Sequence, residues 1–407
     1  MRRVLFTLLL PGLLSAQQFR ISRLNIYGNR RTRTETIQRE LVLAAGDSVS
    51  SGDLLHERGW LLRQRMFKRV EFQIKPGADE QDKQVLMVVQ EHGIVSGSPI
   101  LSNNDLFGWY AGGRFRLRNL TGRAMELRGV VQLGGIQNLG LEWHYPWFGG
   151  RARLFAAAGI STLERPYRYS DYRTFEYRNS RISAAFGRAF GRRVKAGVQL
   201  VREEVGVSDY AVTFSGGTID HLRSAAIFLH LDTRDWPLYP RRGALADLRL
   251  TWTRGDRQRG FRQIDIDIRG YAPIARNNIL AAQAVLSLSR GDLPVYKRPH
   301  IGGGNTVRGY PTGYAAGEHA LHAGLEYRFP VVYERNPLAG LHAGWAGVIF
   351  ADAGTAWFSG GSPVTSDWLF SAGFGLHIIW DSFVLRAEYG TRWSGWGFVT
   401  TGTSVKF

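Results

Sequence analysis

The chain has 407 residues, enough for one large unit or two smaller ones, and its 52 lysines and arginines outweigh 34 acidic residues to give a net charge of +18. It contains no cysteine, which excludes disulfides, thiolate nucleophiles and cysteine-ligated zinc. A charge of that size points to nucleic acid, anionic lipid or anionic solute as partners, or to an arginine-rich polar interior.

Arg2 and Arg3 open the chain, followed by an apolar run from Val4 to Leu14 and the small residues Ser15 and Ala16. A basic start, a short apolar core and a small-residue cleavage site predict a secretory signal over residues 1–16. The run is too short to span a bilayer, and no later stretch reaches the roughly eighteen apolar residues of a spanning helix. An exported chain has little access to nucleic acid, so no such partner is expected. Only six of the basic residues are lysines, and an arginine-rich interior accounts for the charge as readily as an anionic partner.

Residues 17–92 read as a small α+β unit. Phe19 to Tyr27 is a strand ending at Gly28-Asn29. Thr32-Arg33-Thr34-Glu35 has the spacing of a capping box for a helix in which Ile37 and Leu41 share a face and which Gly46 ends. Ser50 or Ser51 caps a second helix running to about Met66. Val70, Phe72 and Ile74 alternate as a strand, Pro76-Gly77 turns the chain, and Val85 to Val89 returns as a buried strand.

Residues 93–407 read differently. Met125, Leu127, Val131 and Leu133 oppose Glu126, Arg128 and Gln132. The same alternation recurs in Leu245 to Trp252, in Gln263 to Arg269, and in Phe383 to Tyr389, where Arg386 and Glu388 take the polar face. Segments of about ten residues with one apolar and one charged face are the signature of an outer-membrane barrel, and about sixteen can be marked. A soluble β-sandwich would need a second sheet over every apolar face, and the export signal argues against it. The predicted fold class is an all-β transmembrane barrel of about sixteen antiparallel strands behind one small α+β domain.

The loop Gly302-Gly303-Gly304-Asn305-Thr306-Val307-Arg308-Gly309-Tyr310 lacks the spacing of a phosphate-binding loop and does not lie between a strand and a helix. Its glycines permit a tight fold back onto the protein, which requires a partner for Arg308. Alternation places Leu321, Ala323, Leu325, Tyr327 and Phe329 on the apolar face, so Glu326 points inward. Around Asp352 both faces are apolar and alternation decides little.

These residues together resemble the BamA/TamA superfamily of outer-membrane barrels with POTRA domains, which includes the two-partner-secretion transporters. The β-α-α-β-β order of residues 17–92 resembles a single POTRA domain. Asn119-Leu120-Thr121-Gly122 with Tyr145-Pro146-Trp147 resembles the family's early hairpin. The run from Asp232 through Arg234, Asp235, Pro237 and Pro240 to Gly243 resembles its strand-turn-strand element, in which the prolines exclude ladder bonds. Thr400, Gly402, Val405 and Phe407 resemble the closing β-signal, which would put Val399, Thr401, Thr403, Val405 and Phe407 on the lipid side. Val307-Arg308-Gly309-Tyr310 resembles the family's loop tip.

The resemblance implies that the loop folds into the barrel and that Arg308, Gly309 and Tyr310 latch onto Glu326, Asp352 and Gly354. A guanidinium can bridge two carboxylates. It further implies a protein of the bacterial outer membrane with residues 17–92 in the periplasm, built by the barrel-assembly machinery and in contact with outer-membrane lipids. Unfolded or exported client proteins would be received by strand addition to the POTRA sheet and by opening of the seam between Ser96–Asn103 and Trp396–Phe407. The competing expectation on the same fold is a passive or gated channel for anionic solutes. A barrel enzyme is disfavoured, because the ten histidines show no ligand spacing and no nucleophile–base pair is evident. No metal or cofactor is expected.

Overall fold

A computed structural model of the chain describes residues 18–407 apart from 80, 170–172, 276, 337–340, 381–382, 393–394 and 404. The expected signal, residues 1–16, lies outside the described residues. The chain forms two compact units, Met1–His92 and Gly93–Phe407.

In the first unit, Phe19–Tyr27 lies parallel to Asp82–Glu91, which pairs antiparallel with Phe67–Pro76. A two-residue strand, Ser48–Val49, completes the sheet at the other edge; it is too short to leave a periodicity in the sequence. Ile21, Ile37, Leu61, Val70 and Met87 are fully buried in its interior. The helix Ser51–Arg63 starts in a capping box: Ser50 accepts from the Asp53 amide, and the Asp53 carboxylate accepts from the Ser50 amide at 2.8 Å.

The box expected at Thr32 is not what starts the first helix, which spans Thr34–Gln38 behind Arg33. Glu91 takes the Thr32 hydroxyl at 2.5 Å, the Thr32 amide at 2.6 Å and the Arg31 amide at 3.1 Å. An ionised carboxylate that gathers three donors outcompetes a local reciprocal pair. Because the helix ends at Gln38, Leu41 is buried beyond it rather than on its face.

The second unit is one sheet of sixteen strands, each paired with its neighbours in chain order from Val95–Asn104 to Gly395–Gly402. Leu139, Ile160, Ile182, Leu200, Ile227, Ile268 and Phe374 are exposed on its outside. Glu203, Gln283, Glu326, Arg328 and Glu388 are buried on its inside. A charged, buried inner face with an apolar, exposed outer face inverts a soluble protein and fits a barrel set in lipid. The long excursions, 208–218, 292–318 and 358–368, all leave one end; the turns 191–193 and 274–278 lie at the other, where the chain enters. Long loops mark the extracellular end of such barrels.

Among the described residues, the first and last strands lie side by side without joining the ladder. Among the described residues, the hydrogen bonds between them run through side chains: Ser102 Oγ donates to the Thr401 carbonyl at 2.8 Å, and the Asn103 amide donates to Thr401 Oγ1 at 3.0 Å.

The end of the chain departs from expectation. Val399 faces outward and is exposed, but the final strand stops at Gly402, and Thr403, Lys406 and Phe407 are buried. Arg114, on the inner wall, donates to Thr403 Oγ1 at 3.3 Å. Val405 packs against Tyr239 and Ile379, and Phe407 packs against Tyr271 and Ala281. Thr403, Val405 and Phe407 therefore turn into the lumen instead of toward lipid. Continued alternation would have kept them outside, but charged groups on the inner wall draw the tail in.

The Glu91 anchor has a pH signature. Burial opposes its charge, but the bonds from Thr32 and Arg31 prevail and hold it below the ordinary 4.5. Its contribution is therefore present above pH 4.5 and is lost as pH falls through the lower, folded value. Glu91→Gln should speed amide exchange at Arg31 and Thr32 at neutral pH, with a cost of about 1 kcal/mol for this partly exposed group. The difference from the parent should narrow on acidification; a pH-independent difference would show that charge is not what anchors this corner.

Candidate functional site

The polar interior is organised by one arginine. The loop after Ile279–Gly291 leaves the extracellular end and folds down into the lumen, where Arg308 is wholly buried. Its Nε and Nη2 donate to the two Asp352 oxygens at 2.8 and 2.9 Å, and its backbone amide adds a third bond to Asp352 at 3.1 Å. Nη1 donates to Glu326 at 2.7 Å and to Glu388 at 2.9 Å. The guanidinium carbon lies over Phe350, 3.4 Å from the ring centroid. Only a planar fork can serve three carboxylates and an aromatic face at once.

Other cations complete the cluster. Arg328 Nε donates to Glu326 at 2.8 Å, Arg386 Nη1 to Glu388 at 3.1 Å, and Lys406 Nζ to Asp352 at 2.7 Å. His377 Nε2 sits 3.1 Å from Glu388. The four cations Arg308, Arg328, Arg386 and Lys406 thus face the carboxylates Glu326, Asp352 and Glu388, so each acid has more than one positive neighbour.

Shape admits the loop as much as charge does. Gly309 has φ +86°, and a Cβ there would meet the Gly390 carbonyl at 2.9 Å, so backbone passes against backbone. Gly354 lies under Val307, which is fully buried with Ile301. Tyr310 is also buried, and its hydroxyl donates to the Phe370 carbonyl at 3.3 Å.

The turn from Asp232 to Gly243 reaches the same cluster from the opposite end. Arg234 is clamped to Asp232 at 3.1 Å, and Asp235 accepts from the Trp236 and Arg241 amides at 2.9 and 3.0 Å. Pro237 and Pro240 bracket Tyr239, and Gly243, at φ +103°, releases the next strand. This conformation drives Tyr239 into the lumen, where the Arg328 guanidinium lies 5.1 Å from its ring and its hydroxyl 3.4 Å from His377 Nδ1. Arg328 also donates to the Phe407 carbonyl at 2.5 Å. Loop tip, lower turn and chain end, separate in sequence, meet at one charged centre.

Three of the residues at this centre follow from alternation. Glu388 and Arg386 share the polar face of their strand, and Arg328 shares that of Glu326. Lys406 and Tyr239 leave no such signal, because neither lies in a regular strand. Thr400 and Gly402 belong to the last strand, Gly395–Gly402.

The loop also ties to both flanks of the seam. On one side the Thr312 amide donates to Asp105 at 3.0 Å, and Asn104 donates to Thr312 Oγ1 at 2.8 Å. On the other, Arg386 donates to the Gly304 carbonyl at 3.1 Å and to Asn305 at 2.7 Å.

A sixteen-stranded barrel with a lipid-facing apolar belt, a polar lumen and a loop folded inside defines a bacterial outer-membrane protein. The chain belongs to the Omp85 superfamily, whose domain matches residues 119–392, well over half of it. It is similar to the outer membrane protein assembly factor BamA of Nitratidesulfovibrio vulgaris, at 24% identity over 324 residues. That match covers 72% of this chain but only 38% of the relative, so the chain spans well under two thirds of that protein's length. Among solved structures, BamA from Haemophilus ducreyi lacking POTRA domains 1–3 superimposes with a TM-score of 0.63 at 15% identity, covering 95% of this chain and 84% of that one. CdiB from Escherichia coli gives 0.67 at 15% identity, covering 95% and 76%. At such identities the structural likeness establishes the fold.

Arg308→Ala should free the loop while leaving the barrel folded. Breaking a buried pair costs about 3–5 kcal/mol, and lumen water lowers this. With no native cysteine, a cysteine at Thr306 reports directly. A bulky impermeant thiol reagent should label it slowly in the parent, quickly in Arg308→Ala, and at an intermediate rate in Arg308→Lys. Equal rates in all three would show that the charged centre does not hold the loop.

Proposed function

We propose that this protein inserts other proteins into the outer membrane or moves them across it, without enzymatic chemistry, and that Arg308 latches the loop that governs its seam. The observation that carries this reading is the pairing of a weak seam with a strap behind it. A continuous ladder would need no strap. Here the two end strands touch through a few side chains, while the loop grips Asp105 on one flank and Arg386 and Glu388 on the other. Separating the strands requires the loop to release at least one flank.

The relatives support the reading, since one is by name an outer membrane protein assembly factor. The small unit adds a means of receiving clients. Among the described residues, its edge strand Phe67–Pro76 has a partner on one side only, and an extended segment can add to such an edge. In this reading residues 17–92 act as a POTRA domain in the periplasm, and the barrel itself is built by the outer-membrane assembly machinery.

A channel for anionic solutes shares this fold but does not need the seam to part. Cysteines at Asn103 and Thr401, whose backbone amide and side chain are hydrogen-bonded at 3.0 Å, allow the two to be told apart. Oxidation should cross-link the strands and abolish client insertion or export, with activity restored by reductant. Full activity with the seam locked, together with anion flux through the locked barrel, would favour the channel instead.

A further inference from the structure

The lipid-facing surface is not the same all the way round. Arg178, Arg202, Arg223, Arg254, Arg262 and Arg290 are exposed, one on each of six consecutive strands from Arg173–Phe190 to Ile279–Gly291. Alternation fixes their direction. Each shares its face with exposed apolar residues on its own strand, such as Ile182, Leu200, Ile227, Trp252, Ile264 and Leu280. All six therefore point away from the lumen, at the extracellular end of the apolar belt.

Register shows that they form a level row. Cross-strand pairs climb steeply around the barrel: the line leaving Phe190, at the lower end of its strand, reaches Phe370, near the upper end of a strand eight further on. A row at constant height must step down in register to offset that climb. The arginines do so. Arg178 pairs with Gly206, above Arg202; Arg202, Arg223 and Arg254 pair in line; Arg262 pairs with Trp252, below Arg254; and Arg290 pairs with Arg262.

Most of the row is uncompensated. Arg178 pairs with Glu164 at 2.9 Å. Among the described residues, Arg202, Arg223, Arg254, Arg262 and Arg290 make no ion pair, and the acids just above them, Glu204 and Asp256, flank His221 at 3.9 and 3.5 Å. Near the seam the same face carries aromatic side chains instead, with Trp109, Trp368 and Phe370 exposed. Like charges aligned across paired strands repel one another, so the row is costly unless an anion offsets it.

We propose that the wall opposite the seam is a docking surface for phosphate-bearing lipid headgroups of the outer leaflet. The row lies where headgroups meet acyl chains, its side chains are long enough to reach the interface, and guanidinium is matched to phosphate in charge and shape. The wall would thereby be held by ordered anionic lipid, leaving the aromatic-rimmed seam side facing lipid that it does not grip.

The test uses the full chain in phosphatidylcholine nanodiscs, titrated with bis-phosphorylated lipid A, with lipid A stripped of both phosphates, or with inorganic pyrophosphate. Bound ligand is counted by native mass spectrometry on ejection. The variant is the triple substitution Arg202→Gln, Arg223→Gln and Arg254→Gln, and heat-modifiable gel mobility confirms that it folds. Expected is a loss of apparent affinity for phosphorylated lipid A on the order of a hundredfold in the triple variant. Stripped lipid should bind both proteins alike, and pyrophosphate should bind neither well. Equal retention of phosphorylated lipid A by parent and variant would overturn the proposal. Binding of pyrophosphate as tight as that of the lipid would overturn the lipid assignment in favour of a soluble anion. Neither outcome bears on whether the seam opens.

Discussion

One buried guanidinium sets the terms for the barrel interior. Arg308 carries a full charge into a space where Glu326, Asp352 and Glu388 already lie, and each of the four is expensive to bury alone. The acids come from three different strands, so the arginine bonds tie together wall segments in addition to the ladder. The loop is thus part of the barrel's electrostatic balance and not a lid resting on it. Lys406 and Arg328 extend the same balance to the end of the chain, which explains why the tail turns inward.

The seam must be understood against that centre. A barrel removes exposed sheet edges by closing, and a seam made of side-chain bonds leaves two edges only lightly covered. The strap compensates from inside by holding Asp105 and Arg386 to one loop. Because the same loop carries Arg308, one segment makes both the contacts of the charged centre and those to the two flanks of the seam. The lower turn reaches that centre as well, since Tyr239 touches Arg328 and His377.

The outside and inside of the barrel use arginine for different ends. Inside, the guanidinium groups of the charged centre are matched by carboxylates at hydrogen-bonding distance. Outside, a level row stands mostly without acid partners among the described residues, on the wall that has no seam. On the reading proposed above, a barrel that opens on one side gains from a fixed opposite side, and the surface is divided in that way.

Much of this was legible in the sequence. Alternation in segments such as Gln263 to Arg269 marks strands with an apolar and a charged face, because a pleated strand exposes successive residues to opposite sides. It also fixes Glu326, Arg328, Arg386 and Glu388 as inward, since parity survives as long as the strand does. Resemblance supplied Arg308 and Asp352 as partners and marked the Asp232 to Gly243 turn, without saying that the turn reaches the same centre. What the sequence could not decide lies where regular structure stops. The Thr32 box lost to Glu91, which lies 59 residues away and is invisible to local spacing. Beyond Gly402 parity has no ladder to hold it, so the direction of Phe407 depends on where the Asp352 carboxylate and the Arg328 guanidinium stand in space. Local pattern determines which face a residue takes within a strand; only the closed barrel decides which distant charges share one interior, because their meeting depends on strand number and register around the whole circumference.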